Sequence, residues 1–459
     1  MSYKTSLFIF TRDLRLEDNT GLIEALKSSE KVIPVFIFNP EQISEENSYK
    51  SDNCVQFMIE CLDELNDELK EKASKIFYFH GDNKKVISKI IKEADIEAIY
   101  INQDYTPFAK KRERDIEKLC KKNKVDFYKF EDHSLCGVSG VRKQDGGLYT
   151  VFTPFYRAGL KVKKQEPVKN TNKNYVSKTY KLDCEYKGDI HKFYEENKNI
   201  LVRGGRSNAL KILANISKFK NYNKDREIPS IHGTTYLSAY MKFNVVSIRE
   251  VYKKLTDTFN LTNKLITQMY WRDFYMQIMF HHNVIRMPFR EKYKNIEWDN
   301  NPTYIKKWKE GQTGIPIIDA AMRQMNECGW MHNRSRMIVS NFFVKIMRCD
   351  WMIGEKYFAQ MLVDYDPANN NGGWQWSAST GTDSQPYFRV FNPWRQAETY
   401  DSDCVYIKKW LPQLKDVPNK DILKWNDSEI REKYKNIDYP KPMIEDIQVE
   451  FKKTLKLIK

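Results

Sequence analysis

Between Asp364 and Trp376 the chain reads DYDPANNNGGWQW, which sets two carboxylates, three consecutive amides, a glycine pair and two indoles within thirteen residues. The amides offer donors and acceptors at fixed points, the glycines let backbone approach a planar group, and the indoles supply flat stacking faces. This is not the pattern of an ordinary amphipathic helix, and a second polar and aromatic string, STGTDSQPYFRVFNP, follows at once. GWMHNRSRM at 329–337 reads as part of a helix with Trp330, Asn333 and Met337 on one face, and upstream Gln268, Trp271, Arg272 and Tyr275 share another. A buried helix would carry Leu and Val at such positions, so the two faces point to a polar, aromatic-lined cavity. Arg336 and Asp364 are candidates for a buried ion pair, and His332 is given no catalytic role.

These groups need a scaffold, and composition limits what it can be. A chain of 459 residues holds two or three domains with a sizeable core. Its net charge of +15, from 76 Lys and Arg against 61 Asp and Glu, favours anionic partners such as nucleic acid, although Lys- and Asn-rich stretches such as 161–181 read as solvated surface. Eight cysteines without a CxxC pair suggest neither a zinc site nor a disulfide framework, so no metal is expected. No apolar run reaches the ~18 residues of a membrane span, and no leader pattern opens the chain, so a soluble, intracellular protein without a membrane partner is expected, and a monomer.

Five short β-branched and aromatic runs, at 6–10, 32–38, 75–79, 97–101 and 125–130, alternate with amphipathic stretches, the signature of a parallel, Rossmann-like α/β sheet over 1–130. Neither GxGxxG nor a Walker loop is present. Residues 131–200 lack periodicity and read as a long connection. From 201 to 459 apolar residues recur at three and four, in 205–219, 247–259, 263–281 and 316–348, so an all-α second domain is expected.

TRDLRLEDNTGL at 11–22, GTTYLSAYM at 233–241, WRDFY at 271–275, GIPIIDAAMRQ at 314–324, GWMHNRSRM at 329–337 and NNGGWQWSASTGTDSQPYFRVFNP at 370–393 together make the chain resemble the photolyase and cryptochrome family, above all its class I cyclobutane-dimer photolyases. The resemblance implies an α/β antenna domain, a linker and a helical domain holding FAD. It assigns Tyr222, Thr234, Thr235, Leu237 and Ser238 to the flavin phosphates and ribityl chain. Arg272, Asp364, Asp366 and Asn370 then surround the ring and adenine end, with Asn370 at the flavin N5, and Trp330, Tyr275 and Arg336 complete the cofactor site. Trp271 and Trp376 become walls against a flipped-out pyrimidine dimer in UV-damaged DNA, Gln268, Asn333, Arg334 and Met337 its other contacts, and Arg226 a phosphate contact.

The implied reaction is electron donation from light-excited reduced FAD to the dimer, with Asn370, Gln268, Met337 and Asn333 around the reacting groups and Trp308, Trp351 and Trp374 as an electron relay. Gln268 stands where most cyclobutane-dimer photolyases have glutamate and where (6-4) photolyases and animal cryptochromes have glutamine; that branch has a second histidine where this chain has Asn333. The segment 102–115, NQDYTPFAKKRERD, resembles the lining of a second chromophore site, for a deazaflavin, methenyltetrahydrofolate or a flavin; a helix starting near Pro107 is the plainer reading of its residues. The alternatives are a cryptochrome-like photoreceptor, against which the missing long C-terminal extension counts, a (6-4) photolyase, and a light-independent flavoprotein that binds nucleic acid.

Overall fold

The computed structural model describes residues 3–282 and 284–458. The five apolar runs form β1 (Tyr3–Phe10), β2 (Ser29–Phe38), β3 (Phe77–His80), β4 (Ala98–Asn102) and β5 (Asp126–Phe130). They pair in parallel in the order β3-β2-β1-β4-β5, with Leu7 of β1 opposite both Ile33 and Ile99. Strands covered on both faces must be apolar on both. On one face Leu7, Ile9, Ile33, Val35, Phe77 and Phe79 pack with Val86, Ile87 and Ile90 of the Asn83–Glu93 helix, and on the other Phe8 and Phe10 meet edge to face at 4.8 Å. The α/β and helical parts expected from the sequence are both present.

The chain divides into two compact units. One comprises the residues up to Glu196, Val202–Ser217 and Tyr236–His281; the other comprises Asn197–Leu201, Lys218–Thr235 and the chain from His282 onward. What holds 236–281 to the sheet is buried charge. Asp132, just past β5, accepts from Arg15 at 2.5 Å and from Arg249 at 2.7 Å, and Arg249 also binds Asp18 at 2.8 Å. Arg12 and Arg15 donate to the backbone carbonyls of Lys242 and Asn244, while Asp273 accepts from the Leu135 and Cys136 amides. The charged residues of the 11–22 motif therefore form this tie. Burial and the neighbouring Arg12 charge pull His133 down to about 3, so its imidazole stays neutral inside the network.

Four readings of the sequence change. The connection 131–200 contains a helix, Phe152–Lys161, which buries Phe152, Phe155 and Gly159 at i, i+3 and i+7. The stretch 316–348 is two helices, Pro316–Cys328 and Asn333–Lys345, because Gly329 ends the first with φ +67°, a conformation that favours glycine. Trp330 is accordingly not helical: the second helix starts at Asn333, capped by His332, whose Nδ1 accepts from Arg334 N at 3.1 Å. The run DYDPANNNGGWQW, which lacks an amphipathic pattern, is nevertheless helical from Pro367 to Ala378. Asp366 caps it through Asn369 N at 3.0 Å, Pro367 opens it, and a helix buried on several faces needs no polar face.

Candidate active site

In the first unit the candidate residues lie on the Lys264–His281 helix and at the start of Leu237–Lys242. Gln268, Trp271 and Tyr275 form one half-buried stripe. Trp271 is stacked on Phe152 with ring centroids 3.6 Å apart and planes within 7°, so one indole face is covered and its tilt is fixed. Phe152 went unnoticed in the sequence, since a lone aromatic in an unpatterned stretch gives no signal. Phe152→Ala should leave the Trp271 ring mobile, at a cost of ~0.5–1.5 kcal/mol beyond lost area; the check is a fall in steady-state anisotropy of Trp271 in a variant keeping that tryptophan alone. Arg272 is buried, donates to His133 O at 2.5 Å and Met241 O at 3.1 Å, and lies 3.9 Å from the Asp273 carboxylate. Leu237 is buried and Ser238 exposed.

In the second unit Tyr222 is buried beneath the Arg226 guanidinium, 5.5 Å from its ring, and Thr234 and Thr235 follow Gly233. A Cβ at Gly233 would stand 2.4 Å from Asp225 O, so the loop is drawn tight on itself. Arg226 contacts Glu227 at 3.4 Å, and Arg334 pairs with the same carboxylate while its guanidinium lies 4.2 Å over the Tyr400 ring. Both arginines thus hold a protein carboxylate. The Arg336–Asp364 ion pair expected from the sequence is formed, with Nη2 at 3.0 Å from both carboxylate oxygens, and Arg336 Nε also donates to Met331 O. Asn333 is exposed and its Nδ2 lies 3.6 Å from Met337 Sδ; Trp330 is buried against His332.

Asn370 sits on the first turn of the Pro367–Ala378 helix. Its Nδ2 donates to Glu355 O at 3.0 Å and Glu355 Oε1 at 2.9 Å. Two acceptors on one side fix which end of the amide is nitrogen, and no donor among the described residues reaches Oδ1. The side chain that sequence reading allowed to donate or accept is therefore held as an acceptor. Glu355, a buried carboxylate absent from the sequence-derived set, is what holds it.

Trp374 is packed edge-on against Phe358 at 5.0 Å and Trp308 at 6.1 Å, over a glycine: a Cβ at Gly354 would come within 2.1 Å of its ring. Its Nε1 is buried and meets no acceptor among the described residues. Trp308, Trp351 and Trp374 are all buried, so the three do not reach solvent by themselves; the half-buried Trp298 packs on the same cluster. Trp376 is half-buried, 6.5 Å from Phe391.

An acceptor-only amide oxygen and an orphaned indole N–H fit a heteroaromatic ring with both donor and acceptor edges, such as a flavin. The 102–115 segment runs from the end of β4 into the Pro107–Asn123 helix. Beside it lies a narrow crevice lined by Gln103, Asp104, Tyr105, Glu131, His133, Val138, Met276 and Phe280, with far less free space than a drug-sized ligand pocket. No group of three or more His, Cys, Asp or Glu placed to hold a metal occurs among the described residues, and no described helix is long and apolar enough to cross a membrane.

The DNA photolyase family profile matches residues 6–172, and the profile for the FAD binding domain of DNA photolyase matches 265–459. A deoxyribodipyrimidine photo-lyase of Alkalihalophilus pseudofirmus is 34% identical over 98% of this chain and 97% of its own length, and that of Escherichia coli 32% identical over 96% of each. Among solved structures, an archaeal photolyase from Sulfolobus tokodaii with two FAD molecules is similar with 39% identity and a TM-score of 0.89, covering 98% of this chain and 99% of that one. A class III photolyase from Agrobacterium tumefaciens gives 26% identity and a TM-score of 0.90, over 100% of this chain and 97% of that one. With relatives above 30% identity spanning nearly its whole length, this chain belongs to the DNA photolyase family, and FAD is its cofactor.

Proposed function

We propose that the protein is a deoxyribodipyrimidine photo-lyase that splits cyclobutane pyrimidine dimers in UV-damaged DNA. FAD, when bound in its reduced form, would supply the light-driven electron chemistry that splits the dimer. The protein's own part is to orient and to exclude water. Asn370 presents Oδ1 at a fixed point because Glu355 holds its nitrogen, Trp271 offers the indole face that Phe152 leaves open, and Asn333 with Met337 presents an amide and a thioether to a flipped-out pyrimidine dimer. Trp374, Trp308 and Trp351 lie in one packed aromatic cluster, and Trp298 supplies the solvent-facing end that a relay needs.

The observation carrying the lesion preference is at the start of the Asn333–Lys345 helix. His332 is buried, its Nδ1 is occupied by Arg334 N, and burial pulls it down to about 4, so it is a neutral helix cap and no acid for the lesion. Position 333, where the (6-4) branch has histidine, carries an amide. Gln268 favours the second reading, (6-4) repair. We also propose the division into an antenna domain at 1–130, a linker at 131–200 and a catalytic domain at 201–459, and a second chromophore beside 102–115. The similarity to an archaeal photolyase with two FAD molecules supports the second chromophore.

The test is to expose the reduced, FAD-loaded protein to oligonucleotides carrying either lesion, in blue light and in darkness. Light-dependent loss of the cyclobutane dimer alone is expected. Loss of the (6-4) lesion would transfer the assignment, and repair of neither would leave a photoreceptor.

A further inference from the structure

The Asn333–Lys345 helix ends on a lysine in a place that disfavours one. Lys345 is fully buried and no carboxylate among the described residues pairs with it. Burial, reinforced by the Arg389 charge, pulls its ammonium down to about 7. Methionine would fill the space without desolvating a charge. What only the ammonium provides is a pair of hydrogen bonds, to Arg389 O at 2.7 Å and Pro386 O at 3.2 Å. These carbonyls stand at the two ends of one turn, closed by Arg389 N on Pro386 O at 3.0 Å.

One helical turn earlier, fully buried Asn341 accepts from Phe391 N at 2.8 Å and reaches Gln385 Oε1 at 3.5 Å. Asn333, Met337, Asn341 and Lys345 are spaced by four and form one stripe, lesion-contact candidates at its start and turn anchors at its end. The anchored turn holds Phe388 63% exposed, the highest value among the large exposed hydrophobic side chains, with the Tyr387 ring edge-on to it at 5.6 Å and Arg389 exposed beside it. Aromatic rings next to a guanidinium, held in water on a fixed turn, form a stacking surface for unstacked bases.

We propose that Lys345 is a positioning residue for DNA: by gripping the Pro386 and Arg389 carbonyls it fixes the Tyr387–Phe388 turn relative to Asn333 and Met337, so that one helix sets both lesion contact and base stacking. This rests on the DNA-repair reading above. Removing the grip loosens the turn without touching the cofactor residues.

FAD-loaded Lys345→Met is titrated by fluorescence anisotropy into a duplex with one thymine dimer and into a duplex with unpaired bases but no dimer. Affinity for both should fall about tenfold, the size expected for one lost base stack, while flavin content stays constant and the thermal midpoint is equal or higher because a buried unpaired charge is gone. Phe388→Ala, at an exposed site that does not threaten folding, should weaken binding by a similar factor, and the double variant should bind no more weakly than either single one. Unchanged affinity in Lys345→Met overturns the proposal, as do losses that multiply in the double variant. If the methionine variant is insoluble, Lys345→Gln must show the same loss of affinity at unchanged thermal midpoint, or the proposal falls. A wild-type protein that fails to prefer the dimer duplex would sink the repair reading instead, and the loss on the unpaired duplex would still report on Lys345.

Discussion

Asp132→Ala is expected to lower the stability of the first unit by ~3–5 kcal/mol, the range for deleting one partner of a buried charge cluster. The carboxylate is fully buried and is shared by Arg15, also fully buried, and Arg249, whose side chain is 6% exposed. Deleting it leaves Arg15 in the interior without a counter-charge and Arg249 with Asp18 alone. Burial pushes the Asp132 carboxyl up, but the Arg15 and Arg249 charges outweigh burial and hold it well below the usual carboxylate range. A depressed native value gives stability that is full above the unfolded carboxyl pKa of about 3.9 and is lost as pH falls through the native one. The deficit of the variant should therefore be complete at pH 7 and narrow only in strong acid, read as urea midpoints at both pH values. By contrast, the exposed Lys27–Glu24 pair should show no comparable loss on Glu24→Ala.

Asn370→Leu is expected to reduce light-driven repair on the order of 10²-fold, the scale on which removing one pre-oriented polar group acts. The side chain is held by two hydrogen bonds from its nitrogen, so its oxygen is oriented in advance. Leucine removes the oxygen and leaves the Glu355 carboxylate without its amide donor. Single-turnover repair under a calibrated flash, with flavin content determined by absorbance, separates the effect from cofactor loss. Repair within threefold of wild type would mean that Asn370 only shapes the cavity.

Strand positions, their parallel pairing and the helical character of the second half were legible because hydrophobic period is a local signal. The sequence also exposed the Arg336–Asp364 pair, since oppositely charged residues among apolar and aromatic neighbours have few alternatives. Asp366, Asn370 and Trp374 lay in one dense segment, yet that segment's helix was hidden: amides and glycines are poor helix formers, and the capping Asp366 and tight packing of Trp374 over Gly354 override propensity. Glu355, Phe152 and Lys345 were invisible for another reason. Each acts on a residue distant in sequence or in another element, and an ordinary Glu, Phe or Lys has no pattern until folding supplies its partner. The 11–22 motif was visible as a string, but its use as a buried tie depends on Asp132 and Arg249, more than a hundred residues away.

That tie sets a timetable for biosynthesis. Asp132 and Arg249 are separated by 117 residues. At ~5–20 residues per second, the ribosome delivers Arg249 roughly 6–23 s after Asp132. During that interval the sheet has all five strands, yet Asp132 has Arg15 as a partner and not Arg249. A nascent chain arrested near residue 200 should thus remain open to proteases and chaperones, and one arrested well beyond residue 281 should not.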